Sequence, residues 1–300
     1  KILPKKVLVL EAGSPKFNSK YINIPAGVLN LFKTAIDWNY QSSKEPTTNN
    51  REVYLCRGKV LGGSSCINVL LYHRGNAKDY EAWEEATGSK EWGPEKVLPF
   101  FKKSENDFRG ESKYHGTGGE FTVSDVPYQN ELSKAFLESC KEQNYPSNND
   151  FNDWSKPQEG YGRYQVNEKN GKRVSSASGF LKPVLKKRKN LHVISNIFVN
   201  KINFDSNKEK AISIEAEFDK ERYTIPLNQI NNQNSEVLLC AGAINSPQLL
   251  MLSGIGNSEE LSKHSIPTVK NLPQVGQNLQ DHPASVVSYS VKPQFEGISP

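Results

Sequence analysis

Between Cys56 and Asn68 the chain reads Cys-Arg-Gly-Lys-Val-Leu-Gly-Gly-Ser-Ser-Cys-Ile-Asn. The adjacent glycines, Gly62 and Gly63, permit positive φ and let backbone N–H groups approach a ligand with no Cβ in between. Ser64 and Ser65 stand where they can cap a following helix, whose N-terminus favours an anion such as a pyrophosphate. Arg57 and Lys59 add cations beside the turn. No Gly-Lys-Ser/Thr closes the stretch, so it is not a Walker P-loop. Nor does it follow a hydrophobic strand as a Rossmann glycine turn does. From the residues alone it is either an anion-binding turn or a flexible surface loop.

A second constraint lies at Val7-Leu8-Val9-Leu10, an apolar run between Lys5-Lys6 and Ala12-Gly13. Such a run predicts a parallel strand buried on both faces. It ends on Glu11, where dinucleotide-binding folds place a carboxylate to accept ribose hydroxyls, about 20 residues after G-x-G-x-x-G. The sequence contains no such fingerprint. On this reading it precedes Lys1; on the other reading, Glu11 is an exposed acid at a strand end. The opening also lacks a start methionine and a signal-peptide apolar region, as expected for a piece of something longer.

Composition excludes several functions. A length of 300 residues suits one large domain or two modest ones, at roughly 150 residues each. Thirty-eight basic against 33 acidic residues leave a net charge of +5, too small a surplus to imply nucleic acid. The basic cluster Lys182 to Lys189 has no aromatic platforms and reads as a solvated helix end. No apolar run approaches the ~20 residues that span a bilayer, so no transmembrane segment is expected. Cys56, Cys66, Cys140 and Cys240 show no C-x-x-C spacing, which gives neither a disulfide scaffold nor a zinc ribbon. His73, His115, His192, His264 and His282 show no H-x-x-x-H pattern, so no metal site is expected.

Periodicity supplies a coarse map. Asp79 to Lys103 predicts helical segments around Trp83 and Trp92, one of them opening at Gly93-Pro94-Glu95. Glu131 to Gln143 predicts an amphipathic helix with Leu132, Ala135, Phe136, Ser139 and Cys140 on its apolar face. Alternation predicts strands at Leu191–Ser195, around Val199–Phe204, at Ile212–Phe218 and at Tyr223–Leu227. In the third of these, Ile212, Ile214, Ala216 and Phe218 share a face. Glu236 to Ala241 predicts a buried strand, then a glycine turn and a helix with Ser246 as N-cap and Pro247 at its first position. That strand and Val7–Leu10 are expected to share one mostly parallel sheet.

Gly58 to Asn68, followed by Tyr72, Gly75 and Glu81, resembles the first signature of the glucose–methanol–choline (GMC) family of FAD-dependent enzymes. Glu236 to Leu250, then Ser253-Gly254-Ile255-Gly256, resembles a second block, and Val275 to Pro283 resembles the flavin-proximal loop. Other segments are similar to one branch, the algal fatty acid photodecarboxylases. They include Ile24-Pro25-Ala26-Gly27, Leu71 to Gly75, Tyr114 to Gly119, Asn149 to Ser155 and Leu181 to Leu185.

The resemblance implies an α/β fold: a Rossmann-like FAD-binding domain of GMC type, with a second, substrate-binding α+β domain mostly missing. Residues 1–285 would form the first, lacking its glycine fingerprint and carrying a helical insertion around 84–155, and residues 286–300 would begin the second. It implies FAD as cofactor. Glu11 matches the ribose ligand, and Arg57, Gly58, Leu61, Gly62, Ser65 and Asn68 match the flavin and pyrophosphate loop. Val199 matches a backbone contact to the adenine, Ala241, Gly242 and Ser246 a second contact strand, and Asp281, His282 and Pro283 the last loop. Cys56 and Cys66 depart from the residues commoner at their positions. Catalytic residues are expected beyond Pro300, and this length alone is expected to be inactive.

The branch implies an enzyme, a carboxy-lyase driven by light. A fatty carboxylate yields an electron to the excited cofactor, carbon dioxide leaves, and the alkyl radical is reduced to a hydrocarbon one carbon shorter. Its partner is a small molecule, a fatty acid, and its location the chloroplast. The alternatives are a GMC alcohol or choline dehydrogenase or oxidase, whose substrate is an alcohol, and a truncated homologue without catalysis. No nucleic-acid partner is expected.

Overall fold

The structure is a computed structural model and describes residues 6–227, 235–282, 284–288, 290 and 292. The chain divides into two units, residues 1–7 with 13–192, and residues 8–12 with 193–300. Strand β1 (Val7–Glu11) lies mostly in the second.

The core of the first unit lies beneath the glycine-rich stretch. Ile22, Leu31, Val60, Cys66 and Ile67 are buried together, with Phe17, Ile36 and Cys56 packed around them. Ile22 is delivered by a single helical turn, Lys20–Asn23, whose N-cap Ser19 accepts the Ile22 N–H at 3.4 Å. Helix α1 (Ala77–Thr87) begins at a capping box made by Asn76 and Asp79 and ends at Gly88 with φ 65°. Helix α2 (Pro94–Ser104) opens on Pro94, as the sequence predicts, because the first turn needs no N–H there. Strands β2 (Glu105–Asp107) and β3 (Phe121–Val123) then pair in parallel.

Helix α3 (Glu131–Glu142) is capped by Asn130. Its packed stripe is Leu132, Leu137 and Cys140, while Phe136 is 64% exposed. The expected apolar face is therefore rotated, because no described element covers the Ala135–Phe136 side.

In the second unit β1 pairs with β4 (Leu191–Ser195). The largest sheet is an antiparallel meander of β5 (Phe198–Phe204), β6 (Ala211–Phe218) and β7 (Glu221–Pro226), with β6 central. The β6–β7 turn puts Asp219 and Lys220 at φ 50° and 66°, the mirror-image turn that matches strand twist. Pairing of β6 with β5 is interrupted between Ala211 and Ser213 and between Glu215 and Ala216. These irregularities break the expected face: Ser213 and Ala216 are buried, whereas Ile212 and Phe218 are exposed. Helix α4 (Gly242–Leu252) is tied to β5 through Ser253. The Ser253 hydroxyl donates to the Leu249 carbonyl at 2.6 Å and accepts the Ile202 N–H at 2.9 Å.

Four expectations are corrected here, the first being that β1 is buried on both faces: Val7 and Leu8 are 45% and 43% exposed. Residues 236–241 form no ladder with any described strand, and Leu238 is 79% exposed. An apolar run becomes a buried strand only where a neighbour pairs its backbone and covers its faces, and none among the described residues does so. The mostly parallel sheet joining it to β1 is accordingly not formed. The helix after it begins at Gly242, not beyond Ser246. Gly242 makes the turn at φ 86°, and Pro247 lies inside the helix.

Ile22→Ala should destabilise the first unit by about 2–5 kcal/mol through a cavity beneath the glycine turn. Denaturant unfolding should show a lower midpoint with an unchanged slope; an unchanged midpoint would show that this cluster is not the core.

Candidate functional site

The glycine-rich stretch is pinned along its length. The Lys59 N–H donates to the Ile36 carbonyl at 2.7 Å and the Leu61 N–H to the Ser14 carbonyl at 2.9 Å. Before it, the buried Asp37 carboxylate accepts N–H groups of Lys33, Asn39 and Arg57 at 2.8–3.0 Å and the Tyr54 hydroxyl. Burial would raise the Asp37 pKa, but these bonds outweigh it and hold the carboxyl below its ordinary value. Burial and the bond to Asp37 together push Tyr54 up to about 12. The Arg57 guanidinium folds back onto the Cys56 carbonyl at 2.6 Å.

Gly63–Cys66 is one turn of 3-10 helix, not the longer helix expected after the two serines. So short a turn has no helix-terminus anion site, and that expectation falls. The serines bond within the loop and across it. Ser64 Oγ accepts the Gly58 N–H at 3.1 Å, while Ser65 Oγ donates to the Gly62 carbonyl at 2.6 Å and accepts the Ser176 N–H at 2.9 Å.

The neighbouring glycines serve different ends. Gly62, at φ 103°, has Cys66 Sγ and Ala177 Cβ each 2.9 Å from where a Cβ would stand. Its lack of side chain is demanded by packing inside the protein. Gly63, at φ 55°, has nothing within 4 Å of that position. That position is open space, so a ligand can come close to the backbone there.

Residues 173–177 brace this loop, and sequence reasoning passed them over. Arg173 is 4% exposed. Its Nε donates to the Ile22 carbonyl at 2.9 Å, and its Nη1 to the Ser65 carbonyl at 3.2 Å and to Asn68 Oδ1 at 2.6 Å. No carboxylate pairs with it among the described residues, and its Nη2 is buried without a partner. Such an orphan donor costs about 1–3 kcal/mol. Burial draws the Arg173 pKa below its ordinary value. The sequence signal was a lone arginine in a serine-rich stretch, which carries no information about depth.

The structure thus brings Arg57, Gly58, Leu61, Gly62, Ser65 and Asn68 together in the first unit. The remaining candidates lie in the second. Glu11 ends β1, where its carbonyl accepts the Ile197 N–H at 3.0 Å, two residues before Val199 on β5. Ala241 is the N-cap of α4, with Gly242 and Ser246 in its first turns. Asp281 and His282 are exposed, and the His282 N–H donates to Asp281 Oδ1 at 2.9 Å. Pro283 lies outside the described residues.

A second constellation is a buried charge network in the first unit. Arg74 Nη2 meets Glu105 Oε1 at 2.9 Å, with both side chains fully buried. His115 Nδ1 faces Glu105 Oε1 at 3.0 Å and Asp107 Oδ2 at 2.9 Å, and its Nε2 faces Asp150 Oδ2 at 2.9 Å. Glu105, Asp107 and His115 offer atoms within 4.8 Å of one another, a grouping that the histidine spacing did not reveal. The cations these acids hold are already in place: Arg74 on the same Glu105 oxygen, and the His115 imidazolium. Burial would strip the His115 proton, but bonds to Asp107, Asp150 and Glu105 overcome it and raise the pKa to about 11. For Asp107 and Asp150, burial likewise pushes upward and is outweighed, chiefly by His115, so both are lowered.

A family model described as GMC oxidoreductase matches residues 25–284. The chain belongs to the GMC oxidoreductase family. It is 41% identical over 98% of its length to the "Fatty acid photodecarboxylase, chloroplastic" of Chlamydomonas reinhardtii, of which it covers 48%. It is 42% identical over 93% of its length to an "Alcohol dehydrogenase [acceptor]" of Pseudomonas putida, of which it covers 49%. The structure superposes on a FAD-dependent oxidoreductase from Chaetomium thermophilum with a TM-score of 0.81 at 27% identity, covering 92% of this chain and 48% of that one. The chain therefore spans about half the length of the relatives it matches. The GMC fold class and FAD, both expected from the sequence, agree with these findings, and the open backbone at Gly63 leaves room for such a group.

Gly62→Ala should lower the melting midpoint strongly, by the clash and the strain of positive φ, whether or not flavin is present. Gly63→Ala should cost about 1–2 kcal/mol of backbone strain and weaken flavin retention beyond that loss. Equal thermal shifts in the two variants would refute the division of roles.

Stability should also fall on the alkaline side. The His115 contribution is whole below its unfolded pKa near 6.5 and is lost as pH climbs towards about 11. The Asp107 and Asp150 contributions are present above about pH 4 and lost in acid. Unfolding free energies from denaturant titrations between pH 7 and 10 should decline with a slope of up to about 1.4 kcal/mol per pH unit. A flat profile would mean that His115 is neutral.

Proposed function

We propose that this chain is the FAD-binding part of a light-driven fatty acid photodecarboxylase. The observation that carries the reading is the convergence of the segments that resemble that branch. Residues 73–75, 114–116 and 149–155 are far apart in sequence, yet meet around one buried network. The Arg74 guanidinium donates to the Tyr114 carbonyl, and the Arg74 N–H donates to Asn152 Oδ1 at 2.9 Å. Trp154 Nε1 donates to the Gly75 carbonyl at 2.9 Å, and His115 pairs with Asp150. That these residues depend on one another supports reading the segments as one arrangement and not as scattered matches.

Bound FAD supplies the light absorption and one-electron chemistry by which a carboxylate loses carbon dioxide. The chain's own task is to hold it. Arg57, Gly58, Leu61, Gly62, Ser65 and Asn68 form the first unit's contact loop, with Gly63 giving close access. In the second unit the same reading assigns Glu11 to the ribose and Val199, Ala241, Gly242, Ser246, Asp281, His282 and Pro283 to further contacts. Residues 1–285 are assigned to the FAD-binding domain and 286–300 to the start of the substrate domain. The chloroplast location belongs to the same proposal. No helix among the described residues is long and apolar enough to cross a membrane.

The second reading, an alcohol-oxidising enzyme, is favoured by the 42% identity to the Pseudomonas alcohol dehydrogenase. Gas chromatography of the full-length protein with palmitate separates the two. Blue light should yield a hydrocarbon one carbon shorter, and darkness none. Longer chains should bind better, by ~0.8 kcal/mol per buried methylene. Dark oxidation of an alcohol or choline, without light-dependent hydrocarbon, would establish the second reading instead.

A further inference from the structure

We propose that Arg173 is a positioning residue that orients the Asn68 carboxamide, so that the amide nitrogen faces away from the core as a hydrogen-bond donor to flavin at the 58–68 loop. This rests on the reading of that loop as the flavin contact.

Two donors fix the amide. A guanidinium has no acceptor, so the Asn68 atom 2.6 Å from Arg173 Nη1 is the oxygen. The Leu70 N–H points at the same atom at 3.2 Å. With Oδ1 accepting twice, Nδ2 is left over. Asn68 is exposed, and its Nδ2 makes no hydrogen bond within the described residues. An unrestrained carboxamide can turn either end outward. Here the turn would set an NH2 group against a buried cation and a backbone N–H, with donors facing donors.

Arg173 is itself immobile, held by the Ile22 and Ser65 carbonyls and enclosed by the core. Its charge would be better met by a carboxylate, since a buried cation lacking one is costly. Folding alone therefore favours Asp at position 68. Asn satisfies the guanidinium less well but keeps an outward donor, which a carboxylate cannot provide. That is the choice expected where the exposed end of residue 68 has to donate.

The test compares Asn68→Asp, Asn68→Ala, Arg173→Lys and the Asn68→Ala/Arg173→Lys double variant in the full-length protein. The readouts are the FAD dissociation constant, measured by flavin fluorescence on stripped protein, the melting midpoint without FAD, and the flavin midpoint potential. Asn68→Asp should melt at or above wild type without FAD, yet bind FAD at least about tenfold more weakly. Arg173→Lys should weaken FAD binding and move the flavin potential in the same direction as Asn68→Ala. The double variant should bind FAD no more weakly than Asn68→Ala alone, because the arginine acts through the asparagine.

Asn68→Asp with wild-type FAD affinity and potential would overturn the proposal, as would losses that multiply in the double variant. Should Arg173→Lys fail to fold, the two exposed-site Asn68 variants decide by the same criteria. A wild-type protein that binds no FAD would overturn both this proposal and the loop assignment. Wild-type binding with unaffected variants would overturn this proposal alone.

Discussion

Arg74 and Glu105 lie 2.9 Å apart with no solvent on either side chain, and much of the first unit is arranged to make that pair tolerable. Two buried charges cost several kcal/mol each to desolvate, and the attraction between them compensates only when further hydrogen bonds complete the site. The completion comes from distant segments. The Gly116 N–H donates to Glu105 Oε2 at 2.9 Å, and the aromatic faces of Tyr72 and Phe101 lie 5.7 and 5.5 Å from the guanidinium. The Tyr80 hydroxyl fixes the Arg74 carbonyl at 2.6 Å. Helices α1 and α2, strand β2 and the 149–155 loop are thus held in place through one ion pair.

His115 extends the pair into a network that carries two cations against three carboxylates. Asp107 is further served by Gln165 Nε2 at 3.0 and 3.2 Å and by the Arg109 N–H at 2.7 Å. A neutral imidazole would leave Nδ1 between two acids with a single proton to share and no charge to offset them. The protonated form is the one this geometry selects, and its role is architectural.

Local features were legible in the sequence, and convergent ones were not. Pro94 announced the start of α2 because its effect is confined to its own turn. The hairpin was visible in the alternation on either side, which put its turn at Lys220-Glu221, one residue beyond the observed Asp219-Lys220. The buried network was invisible because Arg74, Glu105, His115 and Asp150 fall within four separate segments, only Glu105 on a strand, and no spacing rule links them. The run at 236–241 misled for the opposite reason: its residues suit a buried strand, but burial belongs to the partners, and Leu238 is exposed. On β6, two irregularities in pairing reassigned the faces, which residue periodicity cannot foresee. In the candidate site, the loop itself was readable from its glycines, whereas its brace was not, since Ser65 and Ser176 lie 111 positions apart.

The two buried arginines show how charge can be spent in different ways within one unit. Arg74 is neutralised by Glu105, and its Nε, buried without a partner among the described residues, is shut away from any ligand. Arg173 meets carbonyls and a carboxamide beneath the glycine turn, and no carboxylate among the described residues. Were packing the sole requirement, an apolar residue of similar volume would serve at position 173 without an orphan Nη2. An arginine there instead imposes direction: every group it touches is forced to present an acceptor inward, at the Ser65 carbonyl and at Asn68 Oδ1. At Asn68 that leaves the amide nitrogen for the exposed side, a donor where the proposed flavin contact lies.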